Sequence, residues 1–365
     1  MYDDVLRETV SSALNIQLPD DRWCQASLPV RWGGLGICGA CLLAPSAYLA
    51  SAASTKELTL SLLATLLHGT IDSGISTAID AWLSAAATSS PLSPVSLPSS
   101  AIQRTWDNQC CQAQADKLSN NNTDVVERAR LLAARAPGSG DWLEALPLTS
   151  VGLKMDNNTV RIAVGLRLGA PIVHPHQCVC GSLVTRDGRH GLSCRKSAGR
   201  HSRHNQVNDI LHRAFVSCGT LATREPRGLI VSGNKRPDGA TLVPWRRGRC
   251  LAWDATCPDT FAASHLQANS SSAGSAAATA ESRKALKYAA IQPTTDFVPF
   301  AVETSGVWGE QAFDLVKELG RRIATASHDS RSTVFLRQRI SMAVQRGNAC
   351  CVLGTVPMEQ SVDEQ

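Results

Sequence analysis

Residues 171–200 show neither the 3.6-residue apolar repeat of a helix nor the two-residue repeat of a strand; His, Cys, Gly and Arg dominate instead. A stretch of that composition cannot build a core of its own and usually needs a metal to hold it. Within it lie Cys178, Cys180, His190 and Cys194, thiolate and imidazole donors in a short Gly-rich run that suits a structural, tetrahedral Zn²⁺. The single residue between the first two cysteines is a tighter gap than the usual two to four. His201 and His204, just beyond, offer replacement ligands, but equally start the next helix or touch phosphate. The competing reading is two buried thiols in a polar loop.

This segment divides two different kinds of text. Residues 3–18, 43–87 and 102–136 carry helical patterns, the last ending at Pro137-Gly138-Ser139-Gly140. The Pro/Ser run at 88–100 reads as a linker. After residue 200 the order becomes α-β-β-β-α-β-α-α. Helices are expected at 201–218, 281–291, 307–326 (with Ser305 as N-cap) and 335–349, and strands at 220–225, 241–244, 250–256 and 296–303. Arg246-Arg247-Gly248 forms the turn between the second and third strands. The fold class expected is therefore multidomain: a helical N-terminal half, a small zinc segment, and an α/β domain with a central mixed sheet flanked by helices. The expected divisions are 1–90, 91–170, 171–200 and 201–350.

Bulk properties narrow the function. With 43% hydrophobic and 18% charged residues in 365, the chain reads as an ordinary soluble protein. No early basic stretch precedes an apolar run and a small-residue cleavage site, so the expected location is intracellular, nuclear or cytoplasmic. The apolar stretches at 40–50 and 58–67 are too short to cross a bilayer, and no membrane partner is expected. Thirteen cysteines in such a chain argue for reduced thiols and one metal site. Cys110-Cys111 and Cys350-Cys351 read as small buried hydrophobes. The net charge is only +5, yet residues 186–249 hold 14 Arg or Lys against 4 acidic residues. A basic block of that density points to a polyanionic partner, with Arg200, Arg203, His204, Arg236, Arg246 and Arg247 as candidate contacts.

Within this block stands Arg236-Pro237-Asp238 and, after 15 intervening residues, Asp254-Ala255-Thr256. On the strand reading Asp238 opens one strand and Asp254 lies near the end of its antiparallel neighbour, so both carboxylates meet at one end of the sheet. Paired carboxylates suit Mg²⁺, with water and phosphate completing its shell. Glu225, ending the preceding strand, is a candidate third carboxylate. Lys284 and Tyr288 are spaced i,i+4 on the helix after the hairpin and share a face. Taken alone, Pro-Asp is also a common turn pair, and that helix reads equally as an amphipathic surface element.

The pieces in this order resemble the C-terminal part of non-LTR retrotransposon polyproteins that carry a restriction-like endonuclease. The resembling text includes Leu28-Pro29-Val30-Arg31-Trp32-Gly33-Gly34-Leu35-Gly36, Leu43-Ala44-Pro45-Ser46 and Val164-Gly165-Leu166-Arg167-Leu168-Gly169. It continues through the Cys/His segment, Gly199-Arg200-His201, Arg203-His204-Asn205, Arg236 to Gly239, Trp253 to Thr256, Lys284 to Tyr288, and Val302-Glu303-Thr304 with Gly306.

The resemblance implies a helical remnant following a reverse transcriptase, a helical linker, a zinc knuckle and a PD-(D/E)xK endonuclease. Its implied activity is Mg²⁺-dependent nicking of target DNA, whose 3′-hydroxyl primes copying of the element's RNA. DNA and that RNA are the implied partners. Asp238 and Asp254 are implied as catalytic metal ligands, Lys284 as the active-site lysine, and Cys178, Cys180, His190 and Cys194 as zinc ligands. Two departures matter: no Asp-Asp pair stands in a polymerase setting, and Thr256 occupies the position of the pattern's lysine. The alternatives are a zinc- and Arg-rich nucleic-acid-binding fragment without catalysis, or a decayed element remnant.

Overall fold

The computed structural model describes residues 2–63, 72–86, 100–197, 199–229, 236–291 and 295–356. The expected linker at 88–100 falls almost wholly outside them. Two compact units form, 1–13 with 18–123 and 14–17 with 124–365.

The first unit is helical: α1 (Tyr2–Leu14), α2 (Asp20–Ala26), α3 (Ala40–Leu63), α4 (Asp72–Ala86) and α5 (Gln103–Asn120). Leu49 and Ala50 of α3, Trp82 and Ala86 of α4, and Trp106 and Cys110 of α5 share one core. The Trp82 indole also donates to the Trp106 carbonyl at 3.2 Å. The Pro/Ser composition therefore does not mark a division at 90, because helices on either side of it bury the same surface.

The second unit begins earlier than expected. It holds α6 (Val125–Arg135), α7 (Asn157–Leu168), the hairpin β1 (His176–Gln177) and β2 (Leu183–Val184), α8 (His190–Ser193), α9 (Gly199–Ser217), β3 (Ala222–Arg224), β4 (Gly239–Thr241), β5 (Cys250–Thr256), α10 (Ala263–Asn269), α11 (Ser275–Lys287), β6 (Thr295–Ala301), α12 (Glu310–Ser327) and α13 (Ser332–Leu353). Ile162 of α7, Ile172, and Leu192 of α8 pack with Ala349, Cys351 and Val352 of α13. Arg337 of α13 grips the buried Asp141 with two hydrogen bonds of 2.6 and 2.8 Å. These contacts correct the divisions at 170 and 200: residues 124–200 are part of the same body as the sheet.

The sheet is four-stranded and mixed, in the order β3-β4-β5-β6. β4 runs antiparallel to both β3 and β5, whereas β6 joins β5 in parallel after the α10–α11 crossover. β5 is buried over its five central residues because it lies between two strands and under helices on both faces. Its alternate side chains divide between those faces. Leu251, Trp253 and Ala255 enter the large core with α9, α12 and α13. Ala252 packs with Tyr288, Ile291 and Phe297 on the side of α11.

The observed elements follow the expected order with one short helix, α10, added. The second strand occupies Gly239–Thr241 instead of 241–244. The expected turn is a tight hairpin end, with Arg246 bridged to Arg249 and positive φ at Arg247 (50°) and Gly248 (74°). The N-cap of α12 is Gly309 and not Ser305. A Val302–Trp308 bridge closes a turn before the helix, and Thr260 and Ser305 bond one another through their hydroxyls at 2.7 Å. All thirteen cysteines are free thiols. Among the described residues no helix is long and apolar enough to cross a membrane.

Candidate metal centre and carboxylate site

The β1–β2 hairpin builds half of the first site. Cys178 follows β1, its N–H donates to the Ser182 carbonyl at 2.9 Å, and Gly181 turns the chain with φ 90°. This tight turn is why a single intervening residue suffices to bring Cys178 and Cys180 to one point. The other half is α8, which starts at His190 and ends with Cys194 as its C-cap. The four donor atoms all lie within 4.8 Å of one another. Cys178 and Cys194 sulfurs are 3.8 Å apart, and Cys180 Sγ is 3.2 Å from His190 Nε2. Tetrahedral zinc with Zn–S bonds of about 2.3 Å separates two sulfurs by about 3.8 Å. The Cys₃His cluster therefore has the donor set and the spacing to hold a zinc ion. Hydrogen bonds from the Ser182 hydroxyl and backbone hold Cys180 below the ordinary thiol range, to about 6, favouring the thiolate that binds metal. Burial pushes the Cys178 thiol upward.

Neither alternative histidine joins the cluster. His201 is exposed on α9, and His204 turns towards the sheet.

The second site is at the end of β4 and β5. Gly239 pairs with Trp253, and the next step of that register sets Asp238 against Asp254. Only glycine fits at 239, since a Cβ there would meet the Trp253 ring at 2.0 Å. Asp254 is 3% exposed. Its Oδ1 accepts from Lys284 Nζ at 2.5 Å and its Oδ2 from Lys287 Nζ at 3.3 Å, both at the C-terminal end of α11. Both lysines therefore reach the carboxylate, although the resemblance implies a role for Lys284 alone. Tyr288, fully buried, donates to the Arg236 carbonyl at 2.5 Å, anchoring the chain just before Asp238. Burial, with Asp254 adjacent, raises the Tyr288 phenol well above its ordinary range, so it stays a donor.

Asp238 is held from the opposite side, by α9. One oxygen, Oδ2, accepts from His204 Nε2 at 2.9 Å, Asn208 Nδ2 at 3.1 Å and the Ala255 N–H at 2.7 Å. Burial pushes the Asp238 carboxyl up, but His204, the Ala255 amide and Asn208 outweigh it and leave the acid below its ordinary value. The Asp238 hydrogen bond in turn raises His204 against the opposing effect of burial.

The other expected residues divide. Glu225 sits beside Asp238 in the ladder, its N–H donating to the Asp238 carbonyl at 2.9 Å. Its side chain is exposed and makes no hydrogen bond or ion pair among the described residues, so a three-carboxylate group is not assembled. Arg203 is corrected: only 2% exposed, it donates to Asn348 Oδ1 at 2.6 Å and braces α9 against α13, facing no solvent-borne partner. His204 likewise serves Asp238 and is not a free basic contact. Arg200, Arg236, Arg246 and Arg247 are exposed. Arg246 forms a surface pair with Asp296 at 3.3 Å. The residues missed from the sequence are Asn208 and Trp253, whose link to Asp238 runs through tertiary contacts that no local spacing marks.

No protein-family model matches the chain, and no curated protein matches it.

Proposed function

We propose that the second unit is a metal-dependent DNA endonuclease of the PD-(D/E)xK kind, stabilised by a structural zinc, and that it acts as the target-nicking region of a non-LTR retrotransposon protein. The observation that carries the reading is that the β4–β5 register sets Asp238 against Asp254 at one sheet end, where Lys284 and Lys287 reach Asp254 and Arg236 is exposed. Asp238 and Asp254 would hold Mg²⁺, whose ordinary use of one or two carboxylates plus phosphate oxygens makes a third carboxylate unnecessary. Bound there, the ion supplies a water of lowered pKa and neutralises charge on the scissile phosphate. Asp238 fits that role because its Oδ1 has no partner among the described residues. Asp254 fits because its present partners are two flexible ammonium groups, able to move to the phosphate as charge grows there. Lys284 thereby takes the place of the lysine that Thr256 cannot supply. The arginines of the β4–β5 hairpin end and Arg236 would contact the DNA backbone.

A second reading, a basic nucleic-acid-binding module without catalysis, draws on one specific observation: both oxygens of Asp254 are already neutralised by lysines. Incision of an end-labelled duplex in Mg²⁺ separates the two. The nuclease leaves a 3′-hydroxyl that a polymerase extends; the binding module shifts the duplex on a gel and leaves it uncut.

A further inference from the structure

The polar chain beneath Asp238 has only one consistent direction. Trp253 lies wholly buried in the core, and its indole nitrogen is a donor with no acceptor capacity. It donates to Asn208 Oδ1 at 3.0 Å. Asn208 is also 0% exposed, so its amide has no water with which to exchange roles. With Oδ1 committed to the indole, Nδ2 must face outward, and it donates to Asp238 Oδ2 at 3.1 Å. The orientation of this amide is therefore set by the chemistry of Trp253 and not by a choice between two equivalent fits. His204, one turn earlier on α9, and the Ala255 amide bring two further donors to the same oxygen, at 2.9 and 2.7 Å. A carboxylate has about four lone-pair positions on two oxygens. Three donors fill Oδ2 and fix the rotation of the group.

We infer that Asn208 and His204 are positioning residues that saturate one oxygen of Asp238 and thereby present the other, Oδ1, to a divalent cation. The inference rests on the metal-binding reading of Asp238 given above. Outer partners of metal ligands of this kind typically change metal affinity or activity by about 10–100-fold when removed. A purely structural asparagine would alter folding and leave the cation affinity of the folded protein as it was.

The test measures Mn²⁺ binding by electron paramagnetic resonance on zinc-loaded full-length protein, with Asp238→Ala as the background, alongside Mg²⁺-dependent plasmid nicking. Asn208→Asp keeps the shape but turns the donor facing Asp238 into a carboxylate oxygen. It should weaken Asp238-dependent Mn²⁺ binding about 10–100-fold and raise the Mg²⁺ requirement of nicking in proportion, with duplex affinity within about twofold. Trp253→Phe removes the indole donor together with part of the ring, frees the amide to rotate, and should weaken Mn²⁺ binding by a smaller factor. His204 is 38% exposed at its side chain, so His204→Ala should fold even where Asn208→Asp does not. It should weaken binding severalfold, and His204→Gln, which keeps an N–H donor, should recover most of the loss. Wild-type Mn²⁺ affinity in folded Asn208→Asp, or in His204→Ala, overturns the inference, as does the absence of any Asp238-dependent Mn²⁺ site. Should the cation bind and the variants weaken it while no DNA is cut, the positioning role stands and the endonuclease reading falls.

Discussion

Replacing Lys284 by Ala separates its two roles, because the same ammonium is the nearest countercharge of a buried acid and the proposed cation at the phosphate. Its Nζ lies 2.5 Å from Asp254 Oδ1 with the lysine side chain 24% exposed, while Lys287, at 3.3 Å, is 38% exposed. At an effective dielectric near 20, a pair at about 4 Å gains about 4 kcal/mol before the cost of desolvating both groups. Breaking a fully buried pair costs about 3–5 kcal/mol. Here Lys287 remains and water reaches both lysines, so about 1–2 kcal/mol is expected for Lys284→Ala. In a unit of this size that corresponds to a Tm lower by about 2–8 °C. Loss of one charge-stabilising donor in the transition state costs about 10²–10³-fold in kcat. Lys284→Ala should therefore nick supercoiled plasmid about 10²–10³-fold more slowly at saturating Mg²⁺, with duplex affinity nearly unchanged. Lys287→Ala should fall by less than tenfold. Differential scanning fluorimetry and a single-turnover nicking assay read the two effects separately. A Lys284→Ala protein that cuts at the wild-type rate refutes the assignment. A nicking loss confined to Lys287→Ala would mean that the two lysines have been given each other's roles.

Purified protein should contain about one zinc per chain, and Cys194→Ser should lose it and expose residues 171–200 to protease; a folded, reduced, metal-free sample contradicts this. Duplex affinity should fall with salt, and Arg246→Ala with Arg247→Ala should lower the slope of log K against log salt by about 2, at about 0.9 per phosphate contact. Arg203→Ala should instead lower Tm with the slope unchanged, because Arg203 is buried on Asn348. The Asp238–His204 pair sets a pH window for stability. Asp238 is held below its ordinary 3.8, so its contribution is lost as pH falls beneath that value; His204 is held above its ordinary 6.5, so its contribution is lost as pH rises past it. The Tm difference between wild type and His204→Ala should be largest near pH 5–6 and shrink by pH 8–9; a difference that grows with pH contradicts the pairing.

Local patterning carries the second unit's elements well, because β5 and α12 each bury a continuous or one-sided apolar set that their residues announce. The Cys/His cluster is legible for a similar reason: its ligands are close in sequence and the intervening chain has nothing else to order it. What local text does not reveal is which elements share a core. The Pro/Ser run looks like a boundary, yet Trp82 and Trp106 pack across it, and the bidentate Arg337–Asp141 pair spans nearly two hundred positions. Charge counting fails in the same way at Arg203, since composition registers a cation without recording that α13 covers it. Asn208 is illegible for a further reason: an asparagine in a helix is ordinarily a solvent-facing residue, and only the indole of Trp253, far along the chain, gives its amide a direction.

Plasmid nicking reads the metal-dependent cleavage assigned to Asp238 and Asp254. Zinc-loaded protein is incubated with supercoiled plasmid in Mg²⁺, beside the same protein in excess chelator after zinc content is verified, and beside Asp238→Ala and Asp254→Ala. Wild type in Mg²⁺ alone should give open circles carrying extendable 3′-hydroxyls, with both variants folded, zinc-loaded, DNA-binding and inactive. Plasmid that stays supercoiled with wild type, or open circles formed equally by Asp238→Ala, contradicts that assignment.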